Sequence, residues 1–235
     1  ITGIEISRQN PNIIFVAQRL YYDSKLWLTQ DGGISWTAVP FPNSEYSLYI
    51  TMNENNVLFI ATGYGADYRI YKSSNLGSTW TNLTTMATFN QAISGIQVQL
   101  GTNDGIYIST GTNNLYYRNA TLSDWQLYNH GLPIHFKHNG ILPFYKNGEL
   151  RTSGSRGFWK TTLYENSMPV AQPMVNSKKV DCHRTQVQFD DYSVLNHTGA
   201  SWLWSFPGAS SVSSITVRNP IVTYSNPGLF SVTLT

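Results

Sequence analysis

The chain has 235 residues, room for one large or two ordinary domains, and 41% of them are hydrophobic, which is ample for a core. Charged residues make up only 12%, about half the usual globular share, while aromatics reach 14% with seven Trp and fifteen Tyr. A net charge of +2 with scattered Lys and Arg leaves no basic stripe for nucleic acid, no apolar run is long enough for a membrane helix, and the single Cys182 excludes an intrachain disulfide or a CxxC metal framework.

Asn, Ser and Thr replace charge along the chain, which suits an exported β-protein better than a cytosolic enzyme. The first predicted strand is Ile4-Glu5-Ile6, which alternates as a half-buried strand should. Asn10-Pro11-Asn12 is a turn, and Ile13–Ala17 reads as a buried strand. Leu26–Thr29 and Trp36–Val39 follow, joined by Thr29-Gln30-Asp31-Gly32-Gly33-Ile34-Ser35-Trp36. In that turn the Asp31 carboxylate can accept backbone N–H groups a few positions on, and Gly33 supplies a positive φ. Trp36 can then pack its ring beneath the loop.

The unit returns. Ser73, Asn75, Gly77 and Trp80 occupy the places of Thr29, Asp31, Gly33 and Trp36, with Asn75 in place of the Asp. Trp80 lies 44 residues after Trp36, and Trp125 lies 45 further on in a copy that has lost the Asp and the Gly. Aromatic strands at Trp27, Tyr71, Tyr116 and Trp159 keep the same register. The second repeat is predicted as Leu48–Met52, Val57–Thr62, Arg69–Ser73 and Trp80–Leu83. The third is Gly95–Leu100, Gly105–Ser109, Leu115–Arg118 and Trp125–Tyr128. The fourth has three strands: Gly140–Tyr145, Glu149–Ser153 and Phe158–Leu163. A fixed period in this range marks a propeller or another repeat array.

These boxes resemble the Asp-box (BNR-type) repeat of sialidases, sortilin-type receptors, some glucanases and many exported bacterial proteins. The resemblance implies an Asp-box β-propeller over residues 1–163, with the box residues structural and remote from the ligand face. Four blades, the last three-stranded, do not close a ring, so three or four further blades are expected before Ile1. The stretch from Leu142 to Trp159 is similar to the closing blade of exported Bacteroidetes propellers, many carried by the type IX secretion route with a sorting domain further downstream.

Residues 164–173, with two prolines and no periodicity, read as a linker. Beyond it stand Val187-Gln188-Phe189, Trp202–Phe206 and Asn219–Thr235. Val222, Tyr224, Phe230, Val232 and Leu234 alternate about a Pro-Gly turn and are expected to share one core face. This region, 174–235, resembles the PKD domain, an immunoglobulin-like β-sandwich, with Pro207-Gly208-Ala209 where the family has Gly-Asp-Gly. The fold class expected is therefore all-β: blades of an Asp-box propeller plus a PKD sandwich.

No catalytic constellation is apparent. Glycoside hydrolysis needs paired carboxylates, and the acids here are scattered through turns. The loops between each blade's second and third strands carry Arg19, Tyr21, Tyr22, Tyr64, Tyr68, Arg69 and Arg156, the candidates for ligand binding. Exposed tyrosines can stack on sugar faces, and Tyr64, flanked by glycines, is the one expected to project. No cofactor or metal is expected. The expected role is adhesion, or glycan or surface-protein binding, in a secreted or cell-surface protein with the PKD domain as spacer. The alternative is an accessory region of a secreted glycosidase or protease whose catalytic residues lie upstream of Ile1.

Overall fold

The structure is a computed structural model that describes residues 1–19, 23–42, 47–64, 67–84, 92–111, 114–133, 138–176, 186–195 and 199–235, with backbone alone at 47, 64 and 67. The chain divides into two compact units, residues 1–144 with 148–167, and residues 145–147 with 168–235.

The first unit is built of successive antiparallel sheets, each strand beside the next in chain order. The first sheet is β1 (Gly3–Ile6), β2 (Ile14–Gln18), β3 (Lys25–Thr29) and β4 (Thr37–Val39). The second is β5 (Ser47–Met52), β6 (Leu58–Tyr64), β7 (Asp67–Ser73) and β8 (Thr81–Asn82). The third is β9 (Ile93–Gln99), β10 (Gly105–Thr110), β11 (Leu115–Arg118) and β12 (Gln126–Leu127). A three-stranded fourth consists of β13 (His138–Phe144), β14 (Glu149–Gly154) and β15 (Gly157–Thr162).

Period-two alternation decides which side chains meet. Phe15, Ala17, Leu26, Leu28 and Val39 emerge from one face of the first sheet and pack against Leu48, Ile50, Met52, Leu58 and Ile60 of the second. The central strand β10 is buried along its whole length. The leading strands β1, β5, β9 and β13 contact one another in order, so the sheets succeed one another like blades about an axis. Polar bonds cross the same seams: the Thr2 hydroxyl donates to Leu48 O at 2.9 Å, and Gly101 N donates to the Glu54 carboxylate at 3.0 Å.

In the second unit, β16 (Pro173–Val175), β17 (Gln186–Asp191), β20 (Ile221–Thr223) and β19 (Ser211–Val212) form one sheet, and β18 (Trp204–Ser205) pairs with β21 (Thr233–Leu234). Val187, Phe189, Trp204, Phe206, Val222 and Tyr224 form its core, with Phe230, Val232 and Leu234 packed against it. Trp204 stacks on Phe206 at 5.6 Å, and its indole N–H is satisfied by Val217 O at 3.0 Å.

The stretch 164–173, expected as a linker, divides in two. Tyr164 stacks on Tyr117 at 4.2 Å between ring centroids, and Tyr164 N donates to the Tyr107 hydroxyl at 2.8 Å. The buried Gln99 side chain donates to Glu165 O at 2.6 Å and to the Ser167 hydroxyl at 3.0 Å. Residues 164–167 are thus held to the third sheet, and nothing in their composition signals it.

Candidate functional site

The box turns close by a repeated circuit of hydrogen bonds. The Thr29 hydroxyl donates to Asp31 Oδ1 at 2.7 Å and accepts from Gly33 N at 2.9 Å. Asp31 accepts Ser35 N at 2.9 Å and the Ser35 hydroxyl at 2.5 Å. These donors hold the Asp31 carboxyl well below the usual carboxylate range. Ser73, Asn75, Gly77 and Thr79 reproduce the circuit, with Ser73 Oγ to Asn75 Oδ1 at 2.9 Å, Gly77 N to Ser73 Oγ at 2.9 Å and Thr79 N to Asn75 Oδ1 at 2.9 Å. There the Asn75 amide donates to the Thr79 hydroxyl at 2.8 Å, reversing the sense of the Asp31 bond to Ser35.

Asp31→Ala is therefore expected to lower the melting temperature while Asp31→Asn retains most of it, because Asn75 serves the second turn. The Asp31 contribution is present above the ordinary aspartate range and is lost as pH falls through its depressed folded value. Equal melting temperatures for the alanine variant and the parent would remove the clasp role.

The third turn has a different anchor. Asn119 Oδ1 accepts Thr121 N at 3.0 Å and Leu122 N at 3.0 Å, one position earlier than the box predicts. Trp125 is nonetheless buried, and its indole donates to Leu83 O at 3.0 Å, just past β8. Trp80 makes the same bond to Pro40 O at 3.0 Å, just past β4. Two sheets are thus stapled to the outer strand of the sheet before. Trp36 instead bonds Gly33 O of its own turn at 3.2 Å and is 40% exposed.

The candidate ligand residues belong to the opposite end of the sheets, at the β2–β3, β6–β7 and β14–β15 connections. Arg19 is exposed just past β2, and Arg156 is exposed in the β14–β15 turn, where its carbonyl accepts the Trp159 indole at 3.3 Å. Tyr49 is half-buried, and its phenol is raised mainly by burial, with Tyr68 raising it and the Arg19 charge lowering it. Tyr68 itself is 5% exposed, so its ring packs in the sheet and offers no stacking platform. Arg69 is half-buried and donates to Tyr68 O at 3.0 Å. Tyr64 ends β6. Tyr21, Tyr22 and the Tyr64 side chain lie outside the described residues.

Two polar clusters were not anticipated. In the first, the buried Tyr117 phenol donates to Glu165, and Asn119 Nδ2 donates to the same carboxylate at 3.1 Å. Burial first, then the Glu165 bond, pushes the Tyr117 phenol up, so it stays a donor. The second lines a cavity of about 310 Å³ that Lys72, Asp104 and Arg118 share. Its signal in the sequence was Arg118 standing where the box has Thr29 and Ser73.

The fold is a β-propeller. Among solved structures the chain is similar to YCF48 from Cyanidioschyzon merolae, at 12% identity and a TM-score of 0.52, covering 80% of this chain and 65% of that one. It is also similar to the GH74 xyloglucanase from Xanthomonas campestris, at 12% identity and 0.52, covering 87% of this chain and 36% of that one. A third is the extracellular domain of a hybrid two component system from B. thetaiotaomicron, at 13% identity and 0.50, covering 99% of this chain and 34% of that one. The chain thus spans just under two thirds of the first of these and about a third of the other two. No family model and no curated protein matches the sequence.

Proposed function

We propose that the chain is a non-catalytic, glycan- or protein-binding portion of a secreted or cell-surface protein: blades of an Asp-box propeller followed by a PKD spacer. The observation that carries this reading is the commitment of the carboxylates to structural bonds. Glu54 holds Gly101 N, Asp104 pairs with Lys72, Glu149 pairs with Arg151 and Lys160, and Glu165 holds Tyr117 and Asn119. Asp31 serves a turn, and Asp191 is 4% exposed with its carboxylate taken by the Trp202 indole at 2.8 Å and Ser193 N at 2.8 Å. Paired-carboxylate hydrolysis needs an acid and a base free to act across a shared space, and each of these carboxylates is engaged in bonds within the fold.

No helix among the described residues is long and apolar enough to cross a membrane. The export machinery is proposed to act through a sorting domain outside this chain, on the type IX route. Further blades are proposed before Ile1. Ile4 lies opposite Val16, and Val16 opposite Trp27, on a face whose counterpart in the second sheet, Ile50, Ile60 and Tyr71, packs against the first. Ile4 and Ile6 are more than half exposed, so a preceding blade of the same protein is the proposed cover. The second reading, an accessory region of a secreted hydrolase, is favoured by the partial span over the xyloglucanase.

The test is a glycan array probed with the chain, then Arg19→Ala, Tyr64→Ala and Arg156→Ala on any glycan bound. The arginine variants are expected to lose about tenfold in affinity with melting temperature unchanged. A glycan bound equally by all three variants would remove the loop end as the site. Peptide mapping of the natural full-length protein decides between the two readings, since a catalytic domain upstream overturns the first.

A further inference from the structure

The box end of the propeller holds a second place where ligand chemistry is written, and it is where the repeat departs from itself. Seven residues before each box tryptophan stand Thr29, Ser73 and Arg118. In the first two the hydroxyl closes the turn. Arg118 cannot do this, and the third turn closes on Asn119 instead. The arginine is released to line the cavity between the second and third sheets.

The same seam between the first and second sheets is filled with apolar groups. There the second turn leans on the first sheet, and an added carbon at Gly77 would meet Val39 Cγ1 at 2.3 Å. Leu28, buried at 6%, occupies the place that Lys72 takes one blade later. Asn56, at φ 61°, occupies the place of Asp104, at φ 59°. One seam is therefore packed, and the next carries Lys72, Asp104 and Arg118 around a cavity of about 310 Å³. That volume is at the lower end of small-molecule pockets.

The lining divides by chemistry. Phe59 and Ile106, each 1% exposed, and Leu83 supply an apolar floor. Ser74, Thr79 and Thr81 add hydroxyl-bearing side chains to the lining, the Thr79 hydroxyl also accepting from Asn75 Nδ2 at 2.8 Å. Lys72 is neutralised by Asp104, which Asn53 Nδ2 also holds at 2.8 Å. Arg118 spends Nη1 on Leu83 O at 2.8 Å, and Nε and Nη2 make no bond among the described residues. The cavity thus carries a surplus of one positive charge on a planar fork suited to a carboxylate.

We propose that this cavity binds an acidic sugar of the uronic acid class. Its carboxylate meets the Arg118 guanidinium, its hydroxyls meet Ser74, Thr79 and Thr81, and one ring face rests on the apolar floor. The site lies at the opposite end of the sheets from the arginine loops and does not depend on them.

The test is calorimetric titration of the full chain with glucuronate, and with glucose and methyl glucuronate, which lack the charge. Glucuronate is expected to bind at least ~10-fold more tightly than either neutral sugar. Arg118→Met, which keeps an unbranched stem and removes the guanidinium, is expected to abolish that preference. Thr81→Val, isosteric and compatible with β8, is expected to weaken glucuronate about 3-fold while leaving the preference. Thermal melting of both variants checks the fold. The proposal is overturned if glucuronate does not bind, if Arg118→Met binds it as the parent does, or if inorganic sulfate displaces it with equal affinity, because a bare anion would then satisfy the site.

Discussion

Gly77→Ala is expected to cost the propeller unit about 2–5 kcal/mol. Two effects combine. Gly77 sits at φ +85°, where an L side chain is strained, at about 1–2 kcal/mol. Its new Cβ would also stand 2.3 Å from Val39 Cγ1, and Val39 is buried in the contact between the first two sheets, so one blade must shift against the other. The first turn provides the control. Gly33 has φ +98°, but the nearest atom to its added carbon is 3.8 Å away on its own Trp36. Gly33→Ala should therefore show the backbone strain alone. Urea unfolding of both variants, with Gly77→Ala repeated in a Val39→Ala background, separates the terms. Equal losses at Gly33 and Gly77, with no recovery in the double variant, would mean that the seam does not press on the loop.

Raising the pH from 5 to 8 is expected to weaken the parent relative to Glu5→Gln by about 2–3 kcal/mol. Glu5 lies on β1, paired with Phe15, and burial lifts its carboxyl from 4.5 to about 7, opposed by a bond from Met52 N and by the charge of Arg8. The folded state thus holds the proton more tightly than the unfolded chain. Its contribution is fully present below pH 4.5 and is lost as pH rises through 7. Glutamine keeps the shape without a charge to bury. Melting temperatures of parent and variant across this window should diverge as pH rises, with the variant the more stable above pH 7. Histidine titrations are common to both and cancel in the difference. Parallel curves would show that water reaches the Glu5 carboxylate.

Most of the strand order was legible because alternation and box spacing are local. Ile4–Ile6, Leu26–Thr29 and Phe158–Leu163 each announce themselves within a few residues. The fate of single side chains was not local. Tyr68 reads as a loop aromatic, yet it alternates in phase with the buried Ile70, and that phase was the clue to its burial. Residues 164–167 have no periodicity because their order comes from Gln99, Tyr107 and Tyr117, far back in the chain. Arg118 could be placed by counting from Trp125, but counting gives a position and not a cavity. The cavity depends on Lys72 and Asp104 arriving from two other strands and turns.

The indole staples have a bearing on how such a chain drifts over evolutionary time. Trp80 and Trp125 donate to the main-chain oxygens of Pro40 and Leu83, and a carbonyl is present whatever residue bears it. Substitution on the accepting side is therefore invisible to the bond. On the donating side only the tryptophan must persist, while the turn before it can be rebuilt, as Asn119 has rebuilt the third. Copies of one blade can thus diverge until little but an indole every 44 or 45 residues remains, with the contact between neighbouring sheets kept.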